Sequence, residues 1–297
     1  MVETLEHDGL AGRFEEHRPR LRSLAYRLLG SLSEADDAVQ ETWLRLDRAG
    51  DEHVDSLGAW LTTVATRVCL NILRSRERRR ETPMEPHLPD PVVSPEDGVD
   101  PEHEALLADS VGLAMMVVLQ TLSLDERLCF VLHDMFAVPF DDIAHVLERS
   151  PASVRQLASR ARRRVRDRAP APDADLRRQR DAVDAFFAAA REGDFDALVA
   201  TLAPDVVLRS DGGDARPGLT LVLQGPRAVT GQAIRTAALS PYLRPVLVNG
   251  AAGALVAPQG RPMALMAFTV TDGRIVAIDV LADPDRLAAL DLSSLDA

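Results

Sequence analysis

The sequence predicts a multidomain protein, with two all-α modules, the second holding a helix-turn-helix, followed by an α+β domain. Three observations predict it. Apolar residues recur at helical spacing over 10–80 and again over 105–168. Between these blocks, residues 81–104 hold six Pro, eight acids and no Arg, the composition of a linker without regular structure. From about Asp175 the pattern changes to helices followed by short β-like runs.

The length of 297 residues suits two or three domains, and 46% apolar residues are enough to fill their cores. All 34 basic residues are Arg, yet the net charge is −12, so this is not a chain that coats nucleic acid by itself. Local Arg clusters in an acidic body point to DNA contact that depends on a larger partner. Cys69 and Cys129 sit in apolar helical patterns and read as small buried side chains in a reducing compartment. No run of about 18 apolar residues and no signal-peptide pattern occur, so a soluble cytoplasmic protein without a membrane partner is expected. No His/Cys spacing suits a metal, and no cofactor is expected.

In the first module, Phe14, Leu21, Leu24, Ala25, Leu28 and Leu29 mark one helix. Ser33, with Asp36 three residues on, is the expected N-cap of the next. That helix buries Ala35, Ala38, Val39, Trp43, Leu44 and Leu46 and leaves Asp37, Gln40, Glu41 and Arg45 on another face. After a polar loop, a helix beginning near Leu57 buries Leu61, Val64, Ala65, Val68, Ile72 and Leu73. It turns Thr62, Thr63, Thr66, Arg67, Asn71 and Arg74 outward. Helices resume near Glu104 and run to Arg168, with breaks near Ser123, Pro139 and Ser150. A second linker covers 169–174. The third region, 175–297, begins with a helix holding Val183, Phe186, Phe187 and Ala190. Strands follow at 206–209, 219–224, 246–249, 254–257, 263–271 and 274–281, with a helix at 228–239, giving a curved antiparallel sheet. Asp272-Gly273 is the turn of the last hairpin.

The strongest local motif lies at 140–168. Eight arginines and one acid fall between Arg149 and Arg168, directly behind the amphipathic segment Phe140–Leu147. Ser150 caps and Pro151 takes the first helical position. Ile143, Ala144, Val146 and Leu147 pack against Val154, Leu157, Ala158 and Ala161. Ser153, Arg155, Gln156, Ser159, Arg160 and Arg163 then point outward, where Arg pairs bidentately with guanine and Gln with adenine, and the later arginines meet phosphates.

Three motifs in order resemble the minimal two-domain bacterial sigma factors of the extracytoplasmic-function group. Leu32–Leu46 resembles the helix that grips the clamp of RNA polymerase. Ala59–Ser75 resembles the helix that handles the −10 element. Thr121–Leu132 with the helix-turn-helix resembles the module that reads the −35 element. The resemblance implies core RNA polymerase and promoter DNA as partners. It gives Asp37, Gln40, Glu41 and Arg45 to polymerase and Thr63, Arg67, Asn71 and Arg74 to the −10 region. Loop 47–55, unusually acidic here, becomes the wall for a flipped base.

The tail, 175–297, resembles the SnoaL-like cone of the NTF2-like superfamily, which is fused to some of these sigma factors. Their linker, Asp-Gly-Gly and Asn-Pro-Asp-Lys-Leu motifs have altered counterparts here in His87–Pro91, Asp211–Ala215 and Asp283–Leu287. The resemblance implies that Leu88, Pro89, Asp211, Asp283, Pro284, Asp285 and Arg286 form a regulatory contact. Asp211, Asp279, Arg209, Arg244 and Asn249 are the candidate lining of a cone cavity with room for a small ligand. No catalytic residue is assigned, since the fold alone carries no chemistry. Two rival readings are a ligand-responsive helix-turn-helix regulator acting without polymerase and a DNA-tethered isomerase- or cyclase-like enzyme. Neither has a use for the acidic face of Glu34, Asp36, Asp37 and Glu41.

Overall fold

The computed structural model describes residues 2–49, 56–79, 87–96, 112–169 and 172–295. The chain divides into two compact units, Met1–Pro83 with Val118–Arg168, and Met84–Val117 with Ala169–Ala297.

In the first unit, α1 (Val2–Leu29), α2 (Leu32–Ala49) and α3 (Leu57–Arg79) pack together. Their core holds Phe14, Leu21, Val39, Leu46, Leu57, Leu61 and Ala65. Helix α2 starts one residue before the expected cap, so Ser33 lies inside it. Asp36 does not complete a capping box but pairs with Arg22 at 2.6 Å. Thr66, expected outside, is buried, because its hydroxyl donates back to the Thr62 carbonyl at 2.7 Å and needs no water. Loop residues 50–55 lie outside the described residues.

Helix α4 (Leu113–Gln120) contains the division between the units. Helix α5 (Leu124–Cys129) opens on a full capping box, in which Ser123 and Glu126 satisfy each other's backbone amides. It continues as a π-helical turn, Phe130–Met135, followed by α6 (Phe140–Leu147) and α7 (Pro151–Arg168). Helix α6 ends on Glu148 in the left-handed region, φ 54°. A side chain there costs about 1 kcal/mol. Glu148→Gly is therefore expected to stabilise this unit by about 0.5–1 kcal/mol. Tryptophan fluorescence in urea checks it, because both Trp43 and Trp60 belong to the same unit.

The second unit is an α+β cone. Helices α8 (Leu176–Glu192), α9 (Phe195–Thr201) and α10 (Pro226–Thr236) accompany a seven-stranded sheet, and a short α11 (Pro284–Ala288) follows it. In chain order the strands are β1 (Val93–Ser94), β2 (Leu202–Asp211), β3 (Leu221–Gln224), β4 (Leu243–Val248), β5 (Ala251–Val256), β6 (Ala264–Thr271) and β7 (Arg274–Leu281). Their order across the sheet is β1-β4-β5-β6-β7-β2-β3. The sheet is not wholly antiparallel, because β2 and β7 run parallel. The long excursion through β3, α10 and β4–β6 leaves ample chain for that return.

The described parts of both expected linkers, 87–96 and 172–174, are more ordered than their composition suggests. In the first, Val93 and Ser94 pair with Val248 and Leu247, and Leu88, Val92 and Val93 are buried. Over the described residues 87–96 the prolines leave no room for a helix, and the apolar residues find the cone. In the second, the Asp173 carboxylate accepts from the amides of Asp272 and Gly273 at 3.0 and 2.9 Å. That Asp-Gly turn has positive φ at both residues, as a tight hairpin requires.

Strand alternation gives the sheet two buried faces. One packs Val206, Leu208, Ala254, Phe268 and Ile278 against Val183, Phe186 and Val229 of the helices. The other packs Val246, Leu255, Leu265 and Leu281 against Val93, Leu113 and Leu287.

Candidate functional site

On α2, Asp37 and Gln40 are exposed and Glu41 and Arg45 are half-exposed, the last two joined by an ion pair at 2.9 Å. Leu44, expected in the core, is 37% exposed on this same face, because residues 37, 40/41 and 44 recur at one helical turn. Its exposure was missed, since an isolated Leu reads as core in any periodicity count. Glu34 is not free for a partner: Arg76 of α3 pairs with it and also donates to the Leu29 carbonyl at 2.9 Å. That pairing fixes α3 against the end of α1.

On α3, Arg67, Asn71 and Arg74 are exposed and lie along one side. Thr63 is separated from them in environment. With Thr62 and Thr66 it lines a cleft of about 290 Å³ whose other wall is Phe136, Pro139, Asp142 and Ile143. The wall is held by built contacts. Arg20 donates to the Phe136 carbonyl at 2.9 Å and Arg127 to the Leu28 carbonyl at 3.1 Å. The guanidiniums of Arg20 and Arg27 lie 6.0 and 5.2 Å from the Phe136 ring centroid.

The arginines of α7 divide by function of position. Arg162 and Arg164 pair with Asp134 and Glu126 at 2.5 and 2.6 Å, and Arg149 with Asp125 at 2.5 Å, locking the helix-turn-helix to α5 and the π-turn. Val154, Ala158 and Ala161 are buried, as the periodicity requires. Arg155, Gln156, Ser159, Arg160 and Arg163 are exposed and Ser153 is half-exposed. Arg155 lies 5.6 Å over the Phe140 ring, and His133 stacks on that ring at 3.7 Å. The stack restrains Arg155 before any partner arrives.

In the cone, Leu88, Asp211 and Arg286 meet. Arg286 donates to Asp211 at 2.7 Å, to the Leu88 carbonyl at 2.6 Å and to Asp90 at 2.8 Å. The Leu88 amide donates to Asp211 at 3.0 Å. Asp283 acts one step back. It caps α11, accepting from the amides of Asp285 and Arg286, and so aims Arg286. Gly213, at φ 59°, leaves no room for a Cβ, which would fall 2.1 Å from an Asp283 carboxylate oxygen. Pro284 opens α11, Asp285 is exposed, and Pro89 lines a small gap beside Leu88 and Asp279. Asp90 was missed, being one acid among eight in the linker. So was a second clasp, in which Val92 and Asn249 exchange hydrogen bonds at 3.0 and 2.8 Å.

The five residues expected to line the cone cavity do not. Asp211 and Asn249 hold the linker, and Arg244 donates to the Leu295 carbonyl at 2.7 Å. Arg209 and Asp279 form a bidentate pair, 2.6 and 3.1 Å, across the parallel strands. The correction follows from alternation: Arg209 and Asp211 flank Ser210, so both face away from the side of Leu208 and Ser210 and toward the linker. Burial pushes the Asp279 carboxyl up, opposed by the Arg209 charge and its hydrogen bonds. Cys69 and Cys129 are buried, and desolvation lifts both thiols to about 12, which makes them inert. Among the described residues no group of acids, His and Cys is arranged to hold a metal, and no helix is long and apolar enough to cross a membrane.

Comparison with known proteins gives the family. The model of sigma-70 region 2 matches residues 13–79, and that of sigma-70 region 4 matches 113–165. The ECF RNA polymerase sigma factor SigJ of Mycobacterium tuberculosis is 40% identical over 286 residues, covering 92% of this chain and 91% of SigJ. The probable ECF sigma factor SigI of the same species is 34% identical over 292 residues, 96% of this chain and 97% of SigI. The crystal structure of SigJ superposes with a TM-score of 0.79 at 37% identity over 95% of this chain and 99% of that one. This chain belongs to the extracytoplasmic-function RNA polymerase sigma factors, proteins that direct core polymerase to promoters.

Proposed function

We propose that this sigma factor is regulated by its own C-terminal cone, which holds the connector between the two promoter-recognition modules. The observation that carries the reading is the Arg286 clasp, one guanidinium joining Asp211 of β2 to Leu88 and Asp90 of the connector. A connector tied along the cone has a shorter reach than a free chain of the same length. The two recognition modules, packed across the cleft beside Thr63, then favour the compact arrangement over the polymerase-ready one. A chain ending at Ala282 lacks Arg286 and is expected to change output from its promoter in cells at equal protein level. Unchanged output from a stably folded truncation would refute the regulatory part.

In the same reading, Asp37, Gln40, Glu41 and Arg45 dock on polymerase with Leu44 at the centre of the patch. Exposed charge steers and orients, while the apolar centre supplies desolvation. Leu44→Asp is expected to weaken binding to core polymerase by about 1–2 kcal/mol, roughly tenfold, in a titration of fluorescent protein. Arg67, Asn71 and Arg74 serve the −10 region with Thr63. Arg155, Gln156 and Ser159 read base edges with Ser153, and Arg160 and Arg163 hold phosphates. Arg163→Ala should lower the slope of log K against log salt by about one and weaken binding evenly across sequences. A sequence-selective loss with an unchanged slope would place Arg163 on a base instead.

A further inference from the structure

We infer that Phe140, backed by His133, is a positioning residue for promoter selection, setting the Arg155 guanidinium to meet one guanine of the −35 element. The inference rests on the reading of Arg155 as a base-edge residue and names what makes that arginine selective. Arg155 is the fifth residue of α7, within the N-terminal stretch that a recognition helix offers to base edges. Its side chain is exposed, and its guanidinium lies 5.6 Å over the Phe140 ring. Arg149, Arg162 and Arg164 are held by acids. Among the described residues, Arg160 and Arg163 have no ring beside them.

Phe140 is itself placed by the turn before it. His133 stacks on its ring, 3.7 Å between centroids and 24° between planes. The imidazole is fixed in its turn, because its Nδ1 lies 3.0 Å from the Val138 carbonyl oxygen. A carbonyl only accepts, so Nδ1 carries the proton. His133 belongs to the π-helical turn and Phe140 opens α6, so the stack ties the ring to two elements of the module. Phe140 nevertheless stays part-exposed, unlike Ile143 and Val146 of the same helix, which are buried. Its neighbours, rather than the core, give this ring its role.

An arginine side chain has many rotamers, whereas a guanine edge takes its planar fork in one orientation. A ring against the guanidinium removes rotamers before DNA arrives, so less entropy is lost on binding. That gain belongs to the bidentate base contact. A phosphate contact carries no sequence information and draws on charge, which the ring leaves unchanged. Phe140 therefore acts on selectivity at one base pair and not on the salt-dependent part of binding.

The test uses holoenzyme assembled from core RNA polymerase and the full chain, with DNA randomised over the −35 region. Sequences retained by the parent define its preference at each position, and titration of defined fragments at several salt concentrations gives affinity and slope. Arg155→Ala should erase a preference for guanine at one position. Phe140→Leu should lower the preference at that same position about threefold, the size of an exposed cation–π contact, with the salt slope unchanged. Phe140→Tyr, which keeps a ring, should keep the parent's preference. In the Arg155→Ala background, Phe140→Leu should have no further effect. A loss spread evenly over all positions in Phe140→Leu, or an added loss in the double variant, would make Phe140 a packing residue and overturn the proposal. So would a parent-like preference in Phe140→Leu beside a flattened one in Arg155→Ala, a result that leaves base reading by Arg155 intact. A parent-like preference in Arg155→Ala would remove that reading and the proposal together.

Discussion

Arg209→Met should cost the cone about 3–5 kcal/mol at neutral pH, the largest single-residue loss expected outside the apolar core. Asp279 is 2% exposed, and Arg209 is its bidentate partner. Met keeps most of the volume but leaves a buried carboxylate without a counter-charge. The pH dependence has a definite sign. Burial already raises the Asp279 carboxyl in the folded state. A group raised on folding contributes its full stability below its unfolded pKa, about 3.9, and loses it as pH rises through the folded value. Removing Arg209 takes away the causes that hold that value down, so the window of loss moves upward. The deficit of the variant should therefore be greater at pH 8 than at pH 5. Hydrogen exchange of the 208–211 and 278–281 amides, corrected for intrinsic rates, reads it. A deficit that grows toward acid would contradict this account of the pair. Arg209→Met combined with Asp279→Leu should recover much of the loss, as apolar replacements of buried pairs do.

The second large effect belongs to Arg286→Ala. Asp211 is 3% exposed, and its contacts with Arg286 and the Leu88 amide join the connector to the sheet. Truncating one partner of such a pair costs about 3 kcal/mol, since the other charge stays behind. Opening of the connector should then become roughly a hundredfold more frequent. Exchange protection at the Leu88 amide should fall by that factor, while protection in α1–α3 and α5–α7 stays as it was. The Val92–Asn249 clasp is separate, so Val92 should lose less. Equal protection in variant and parent would mean that the clasp does not hold the connector.

How far the sequence reveals these features depends on what each one rests on. The helices of the first unit, the turn at Ser150-Pro151 and the Asp272-Gly273 hairpin are local: spacing, capping chemistry and the need for positive φ are all written within a few residues. The outward residues of α7 follow from the same periodicity, and all but the half-exposed Ser153 are found exposed. What distance in sequence conceals is pairing. Nothing in the linker's prolines and acids says that Val93 and Ser94 will extend a sheet whose partner strand lies some 150 residues later. Strand direction is equally silent, because alternation is the same for parallel and antiparallel neighbours. The candidate cavity residues failed for a related reason. They were grouped by chemistry, whereas a one-residue offset sends Arg209 and Asp211 to one face and Leu208 and Ser210 to the other. Leu44 shows the converse error, a hydrophobic residue assigned inward by its type that the helix turns outward with Asp37 and Glu41.

Multi-round run-off transcription with purified core RNA polymerase compares the intact chain with Arg286→Ala on the same promoter fragments. Control by the cone predicts that both proteins select the same start sites, and that the variant, with its connector released, gives at least about threefold more transcript. Equal transcript from a variant whose connector is shown by exchange to be free would contradict that control, and absence of specific start sites with both would contradict promoter selection by this chain.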